Sequence, residues 1–153
     1  MMLYLVRHAD AKKGEDDPAK PLSEIGLQNI GKVASYALRL NIKLSQIFHS
    51  NVLRAKQTAE ILGEMLAPAK GVSETDGLSP LDDPQIWAAR LKGLNDAILL
   101  VGHLPHLDNL ASLLLCGHTE RSFVSFKTAG MACLKREDDL WTLQSLIAPE
   151  ILV

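Results

Sequence analysis

Cysteine is scarce in this chain. Cys116 and Cys133 are the only two, they lie far apart, and no Cys-x-x-Cys pair occurs. That pattern argues against a thiolate zinc site and against a secreted disulfide framework, and it predicts reduced thiols in the core of a cytoplasmic protein. Long apolar runs are missing too. The amino-terminal run, Met2 to Val6, spans five residues with no basic leader, and Leu110 to Cys116 is little longer. Both fall short of a signal peptide or a membrane span, so no membrane association is expected. Charge of one sign is also lacking, because 16 Lys and Arg side chains face 18 Asp and Glu, for a formal charge of −2. No bulk attraction to nucleic acid or anionic lipid follows, and any basic patch must be local. The five histidines include no His-x-x-x-His pair, so neither a metal nor another cofactor is expected. Repeats and low-complexity tracts are absent. The 153 residues, 47% of them hydrophobic, are enough for one domain, 1–153, with a core of its own.

Short apolar runs alternate with helical patterns, which predicts an α/β fold: a three-layer α/β/α sandwich around a mostly parallel sheet. Strands are expected at Met2 to Val6, Gln46 to His49, Val72 to Glu74, Ala97 to Val101, Phe123 to Phe126, Met131 to Lys135 and Trp141 to Ile147, with a turn at Asp138-Asp139. Ser23 suits the N-cap of a first helix, whose Leu27, Ile30, Val33, Ala34, Ala37 and Leu38 recur at helical spacing. Further helices are expected over Val52 to Leu66, closed by Pro68, over Gln85 to Leu94, and over His106 to Leu115. The polar stretch Asp10 to Pro21, with Lys12, Lys13, Gly14, Glu15, Asp16 and Asp17, reads as an exposed loop.

Three of the predicted strands end on imidazole or guanidinium chemistry. Arg7-His8 follows the first, Gly102-His103 follows Ala97 to Val101, and His49-Ser50 follows Ile47-Phe48, with Arg54 four residues beyond Ser50. Ligand sites in open α/β sheets gather at such strand ends.

The blocks around these residues resemble the histidine phosphatase superfamily, the phosphoglycerate mutase-like family. Leu5 to Asp10 is similar to its Arg-His-Gly signature. Pro21-Leu22-Ser23 with Gly26, Ser50 to Ala59, and Leu100-Val101-Gly102-His103 follow in family order. The Arg-His-x-Asp-Ala start and the Gly-His-Leu-Pro segment look most like the bacterial phosphohistidine phosphatases of the SixA group. The resemblance implies a phosphoglycerate mutase-like fold and a cofactor-independent phosphatase. It implies His8 as nucleophile, Arg7, Arg54 and His103 as the groups that bind the phosphate ion, and Lys20 as a substrate contact where the group usually has arginine.

Chemistry supports those residue types. A phosphoryl group in transfer carries charge on three equatorial oxygens and needs fixed positive donors around them. Arg7 and Arg54 supply planar forks that grip two oxygens each. A neutral His8 can attack phosphorus in line and become a transient phosphohistidine, and neighbouring guanidinium charge should lower its pKa. Positive ends of the helices starting near Val52 and His106 are expected to point at the same place.

A leaving-group acid is not evident. Relatives that act on phosphate esters commonly carry a mid-chain glutamate, where this chain reads Gly77-Leu78-Ser79-Pro80-Leu81-Asp82-Asp83-Pro84. Asp10, Asp82, Asp83 or solvent remain as proton sources. Imidazole released from phosphohistidine needs less help than an alkoxide, and no long insertion forms a lid, so the expected partner is a phosphohistidine-bearing protein, for example a phosphotransfer domain or carrier. The alternatives are a small-molecule phosphomonoesterase of the same superfamily and a phosphoprotein-binding module without turnover. Of the other residues, His49 is expected at the rim or in a structural role, His106 at the cap of its helix or the edge of the site, and His118 in solvent. Trp87 and Trp141 are expected in the core or an interface. Asn51 replaces the proline usual after that serine.

Overall fold

The computed structural model describes residues 1–14 and 17–153, so Glu15 and Asp16 of the expected acidic loop lie outside the described residues. The amino-terminal apolar run forms β1 (Met2–Arg7). A strand with no polar face must be covered on both sides, and β1 is: Leu3 and Leu5 enter one core cluster, while Tyr4 and Val6 enter another across the sheet. The remaining strands are β2 (Gln46–His49), β3 (Val72–Glu74), β4 (Ile98–Gly102), β5 (Met131–Glu137) and β6 (Leu140–Ile147), in the order β3-β2-β4-β1-β5-β6. The pairs β2–β3, β2–β4 and β1–β4 are parallel, and β5 runs antiparallel to both β1 and β6. The expected three-layer, mostly parallel architecture is thus the one observed.

Helices α1 (Glu24–Arg39) and α2 (Leu53–Leu66) cover one face, and α3 (Gln85–Lys92) and α4 (His106–Cys116) cover the other. On the first face Ile30, Val33, Ala34, Ala37, Ala55, Ala59 and Leu62 pack on Val6, Ile47, Leu99 and Val101. On the second, Trp87, Leu91, Leu107, Leu110 and Ala111 pack on Leu3, Leu5, Ile98 and Leu100. The period-2 alternation of β1 and β4 thereby serves both layers, and each fully buried leucine contributes about 1.5–3 kcal/mol relative to exposure. Ser23 caps α1 as expected, its hydroxyl accepting from the Gly26 N–H at 3.1 Å. Ala67 in the left-handed region ends α2, just before Pro68, and Gly117 does the same for α4.

Some expectations are corrected. Phe123 to Phe126 is not a strand. Val124 and Phe126 are buried in the core under α3 and α4, and the Phe126 carbonyl accepts from Arg7 Nη1 at 3.0 Å rather than from a neighbouring strand. Leu27 and Leu38 are half exposed, at 48% and 50%, because the stripe that faces the sheet is narrower than their spacing suggests. Only Cys133 is a core thiol, since Cys116 at the end of α4 is exposed. Among the described residues, no helix is long and apolar enough to cross a membrane.

Candidate active site

Strands β1 and β4 are parallel neighbours, with Arg7 beside Gly102. The chain leaves β1 toward α1 on one face and leaves β4 toward α4 on the other. The two exits part and open a crevice at the carboxyl ends of the strands. Backbone bonds continue past the ladder and hold its floor: the His8 N–H donates to the Gly102 carbonyl at 3.0 Å, and the Ser50 N–H to the Val101 carbonyl at 3.3 Å.

His8 stands in this crevice with its Nδ1 2.8 Å from the Ala9 carbonyl oxygen. A carbonyl can only accept, so Nδ1 carries the proton and Nε2 of the neutral ring keeps its lone pair. Arg54 Nε donates to that Nε2 at 3.4 Å. The His8 pKa is lowered to about 4, first by burial and then by Arg54 and Arg7, against the Ala9 hydrogen bond and Asp10, which raise it. Guanidinium charge acts in the expected direction, but burial is the larger cause. Arg7, anchored through Nη1 to Phe126, has a buried Nε with no hydrogen-bond partner among the described residues. Burial lowers its pKa as well, yet an arginine stays charged at any working pH.

The His103 ring lies 4.9 Å from that of His8, centroid to centroid, and its Nε2 is 2.5 Å from the Ser50 hydroxyl. Ser50 and His103 are almost fully buried, so this bond sets the orientation of the imidazole. Ser50 was visible in the sequence only as part of a motif block, and its task of holding His103 depends on two strand ends meeting. His49, also buried, turns its Nδ1 to the Ser50 carbonyl oxygen at 2.7 Å and has a structural place rather than one on the rim.

One face of α2 secures the loop after β1. Arg54 reaches His8, Gln57 Oε1 accepts from the Leu22 N–H at 2.8 Å, and the Thr58 hydroxyl accepts from the Ala9 N–H at 3.0 Å while donating to the Arg54 carbonyl at 2.8 Å. Gln57 and Thr58 were missed as supports, although polar residues three and four positions after Arg54 on a helix share its face. Lys20 lines a cavity of about 310 Å³ together with His8, Ala11, Lys12, Lys13, Gly14 and Arg54. His8, Arg54 and Lys20 thus border one cavity, the His103 ring lies against that of His8, and Arg7 acts on His8 through its charge.

The three candidate acids part company. Asp10 acts on His8 and gives one carboxylate oxygen to the Ser23 hydroxyl at 2.6 Å. Asp82 and Asp83 act instead on His106, accepting from the Ser79 and Gln85 N–H groups respectively. His106 opens α4 but makes no cap bond: its ring is fully buried, neither nitrogen has a partner among the described residues, and burial lowers its pKa. His118 is exposed, and Trp87 is a core residue whose indole donates to the Asp76 carbonyl at 3.1 Å. Among the described residues, no group of three His, Cys, Asp or Glu side chains is placed to hold a metal ion.

A model of the histidine phosphatase superfamily (branch 1) matches residues 3–82, which take in Arg7, His8, Lys20 and Arg54. The chain belongs to this superfamily. Phosphohistidine phosphatase SixA of Escherichia coli strain K12 is 26% identical over 136 residues, covering 86% of this chain and 84% of SixA. A solved structure of the protein histidine phosphatase SixA complexed with tungstate superposes with a TM-score of 0.88 at 24% identity, covering 99% of each chain. The alpha-ribazole phosphatase of Shigella flexneri has the same fold, with a TM-score of 0.78 at 15% identity and 97% coverage of each chain.

Proposed function

We propose that this superfamily member is a phosphohistidine phosphatase of the cytoplasm that removes phosphate from histidine on a protein, with residues 1–153 acting as one catalytic domain. The observation that carries the proposal is His8: a neutral imidazole with its proton held by the Ala9 carbonyl, its Nε2 unprotonated and met by Arg54 Nε at 3.4 Å, and His103 beside it. Nε2 attacks phosphorus in line, the P–N bond to the substrate imidazole breaks, and that imidazole takes a proton as it leaves. Water then attacks the phosphoryl group on His8 and releases phosphate. Arg7, with a buried Nε that has no acceptor among the described residues, and Arg54 hold the equatorial oxygens through both steps. His103, braced by Ser50, contributes a further donor. Lys20 contacts the substrate from the cavity wall.

Two observations favour phosphohistidine over a phosphate ester. No glutamate lies between Gly77 and Pro84, and the aspartates there face His106. The SixA relative, matched over most of both chains, is itself a phosphohistidine phosphatase. Incubation with a phosphohistidine protein, p-nitrophenyl phosphate and phosphoglycerate tests the assignment. Release of phosphate from the first alone supports it, broad ester hydrolysis replaces it with a small-molecule phosphomonoesterase, and tight binding without turnover replaces it with a binding module. His8→Ala must abolish both turnover and trapping of labelled phosphate on the protein.

A further inference from the structure

The sheet has two unlike edges. On one side β3 is three residues long and finishes at exposed Glu74, a short, charged edge of the kind that resists pairing with another chain. On the other side β6 is eight residues long and contains neither a charged residue nor proline, and among the described residues β5 is its one strand partner. Its outer row of backbone N–H and C=O groups therefore faces solvent. Leu140, Leu143 and Leu146 are 72%, 40% and 41% exposed, so apolar side chains accompany that open row.

Partners on β5 give each β6 side chain its face. Leu143 and Leu146 stand opposite Leu134 and Ala132 and share the α3–α4 side with Trp141. Ser145 and Ile147 stand opposite Cys133 and Met131 and share the α1–α2 side with Thr142. A bulge sets one extra residue, Gln144, between the two halves of the strand. It rephases the alternation, so Trp141 and Leu146 come to one face although they are five positions apart, and Thr142 and Ser145 come to the other. Followed inward from either end, β6 then presents apolar, apolar, hydroxyl: Leu140-Trp141-Thr142 from one side and Ile147-Leu146-Ser145 from the other. Its antiparallel complement is a strand of its own sequence.

We propose that two copies of this chain pair through β6, antiparallel about a twofold axis, joining two six-stranded sheets into one. The axis passes between Leu143 and Gln144. Leu140, Trp141 and Thr142 lie opposite the partner's Ile147, Leu146 and Ser145, and bulge meets bulge at the centre, so the register holds on both sides of it. Each Trp141, which lines a cavity of about 540 Å³ with Leu113 and Leu114 of α4, gains the partner's Leu146 beside it, and the Thr142 and Ser145 hydroxyls meet across the axis. Charge also favours a second copy: 22% of the chain is charged, yet the paired strands set no like charges against each other, and Asp138, Asp139 and Glu150 lie beyond their ends. Eight residues run about 27 Å, a contact that belongs with the smaller, concentration-dependent interfaces. β5 stands between β6 and β1, so the contact takes up none of the residues at His8 and is independent of the proposed phosphatase activity.

Sedimentation velocity of the full chain over a concentration series tests the pairing. The mass should rise from 16.7 kDa toward twice that value. Because the paired strands are uncharged, the transition should persist near 1 M salt, where the screening length is about 3 Å. Hydrogen exchange of the parent chain needs no variant: β6 amides should gain protection as concentration rises, and β3 amides should not. Two double variants then set like charges opposite each other, Thr142→Lys with Ser145→Lys and Thr142→Glu with Ser145→Glu. Each alone should move the transition to about tenfold higher concentration. An equimolar mixture should reassociate at low salt, since lysine then faces glutamate, and its recovery shows that both variants are folded. A parent chain that stays at 16.7 kDa throughout overturns the pairing. Protection gained at β3 or on a helix instead of β6, or a dimer that both variants keep unchanged, places the contact elsewhere and overturns it equally.

Discussion

Protonation of His8 offers the sharpest quantitative test. An ordinary histidine titrates near 6.5, and His8 is lowered to about 4, with burial the first cause and the guanidinium groups of Arg54 and Arg7 acting in the same direction. The difference corresponds to about 3 kcal/mol of preference for the neutral ring. The sign follows from proton counting: between pH 6.5 and pH 4 the unfolded chain binds a proton at His8 that the folded chain does not. Stability is therefore unaffected by His8 above pH 6.5, falls as the pH drops through the window, and levels off below pH 4, about 3 kcal/mol lower. Two measurements read it: an NMR titration of the His8 ring, with an inflection near pH 4, and urea unfolding at a series of pH values in the parent and in His8→Ala, which should lack this component of the slope. Arg54→Gln should raise the inflection only part of the way, because burial remains. A His8 ring that titrates at 6.5 or above in the parent would refute both the burial argument and the neutral nucleophile.

Three further outcomes follow from neighbouring contacts. Ser50→Ala removes the brace on His103 and should lower kcat toward phosphohistidine about tenfold, the equivalent of one hydrogen bond, with KM little changed; unaltered kcat would mean that the bond does not orient the ring. Thr58→Val leaves the buried Ala9 N–H without its acceptor and should cost about 1–3 kcal/mol in denaturant unfolding. Gly26→Ala would set a Cβ 2.1 Å from the Asp10 carbonyl oxygen, so the loop after β1 must shift, and a thermal midpoint equal to that of the parent would show the approach to be looser than described.

Much of this arrangement was legible in the sequence because the chemistry sits where periodicity is strongest. Runs of apolar residues that stop at Arg7-His8 and at Gly102-His103 mark strand ends without ambiguity, Ser23 marks the start of α1, and the helix expected over Val52 to Leu66 forms over Leu53–Leu66. What escaped depends on tertiary partners. The Phe123 to Phe126 segment has strand-like composition, but its carbonyl at Phe126 is taken by Arg7 rather than by a neighbouring strand. Ser50 pairs with His103, and Thr58 with Ala9, across long sequence separations. Nor does any local pattern announce that His106 is buried with both nitrogens unpartnered, or that Cys116 faces out.

The footing of the candidate site on a single helical turn has an evolutionary consequence. Arg54, Gln57 and Thr58 project together only while α2 keeps its register, and one residue inserted ahead of them would swing all three by about 100°, detaching nucleophile, loop and guanidinium at once. Length variation among descendants of this chain should therefore accumulate in the stretch after Gly117 and in the turn at Asp138-Asp139, while the first turns of α2 accept neither insertion nor deletion.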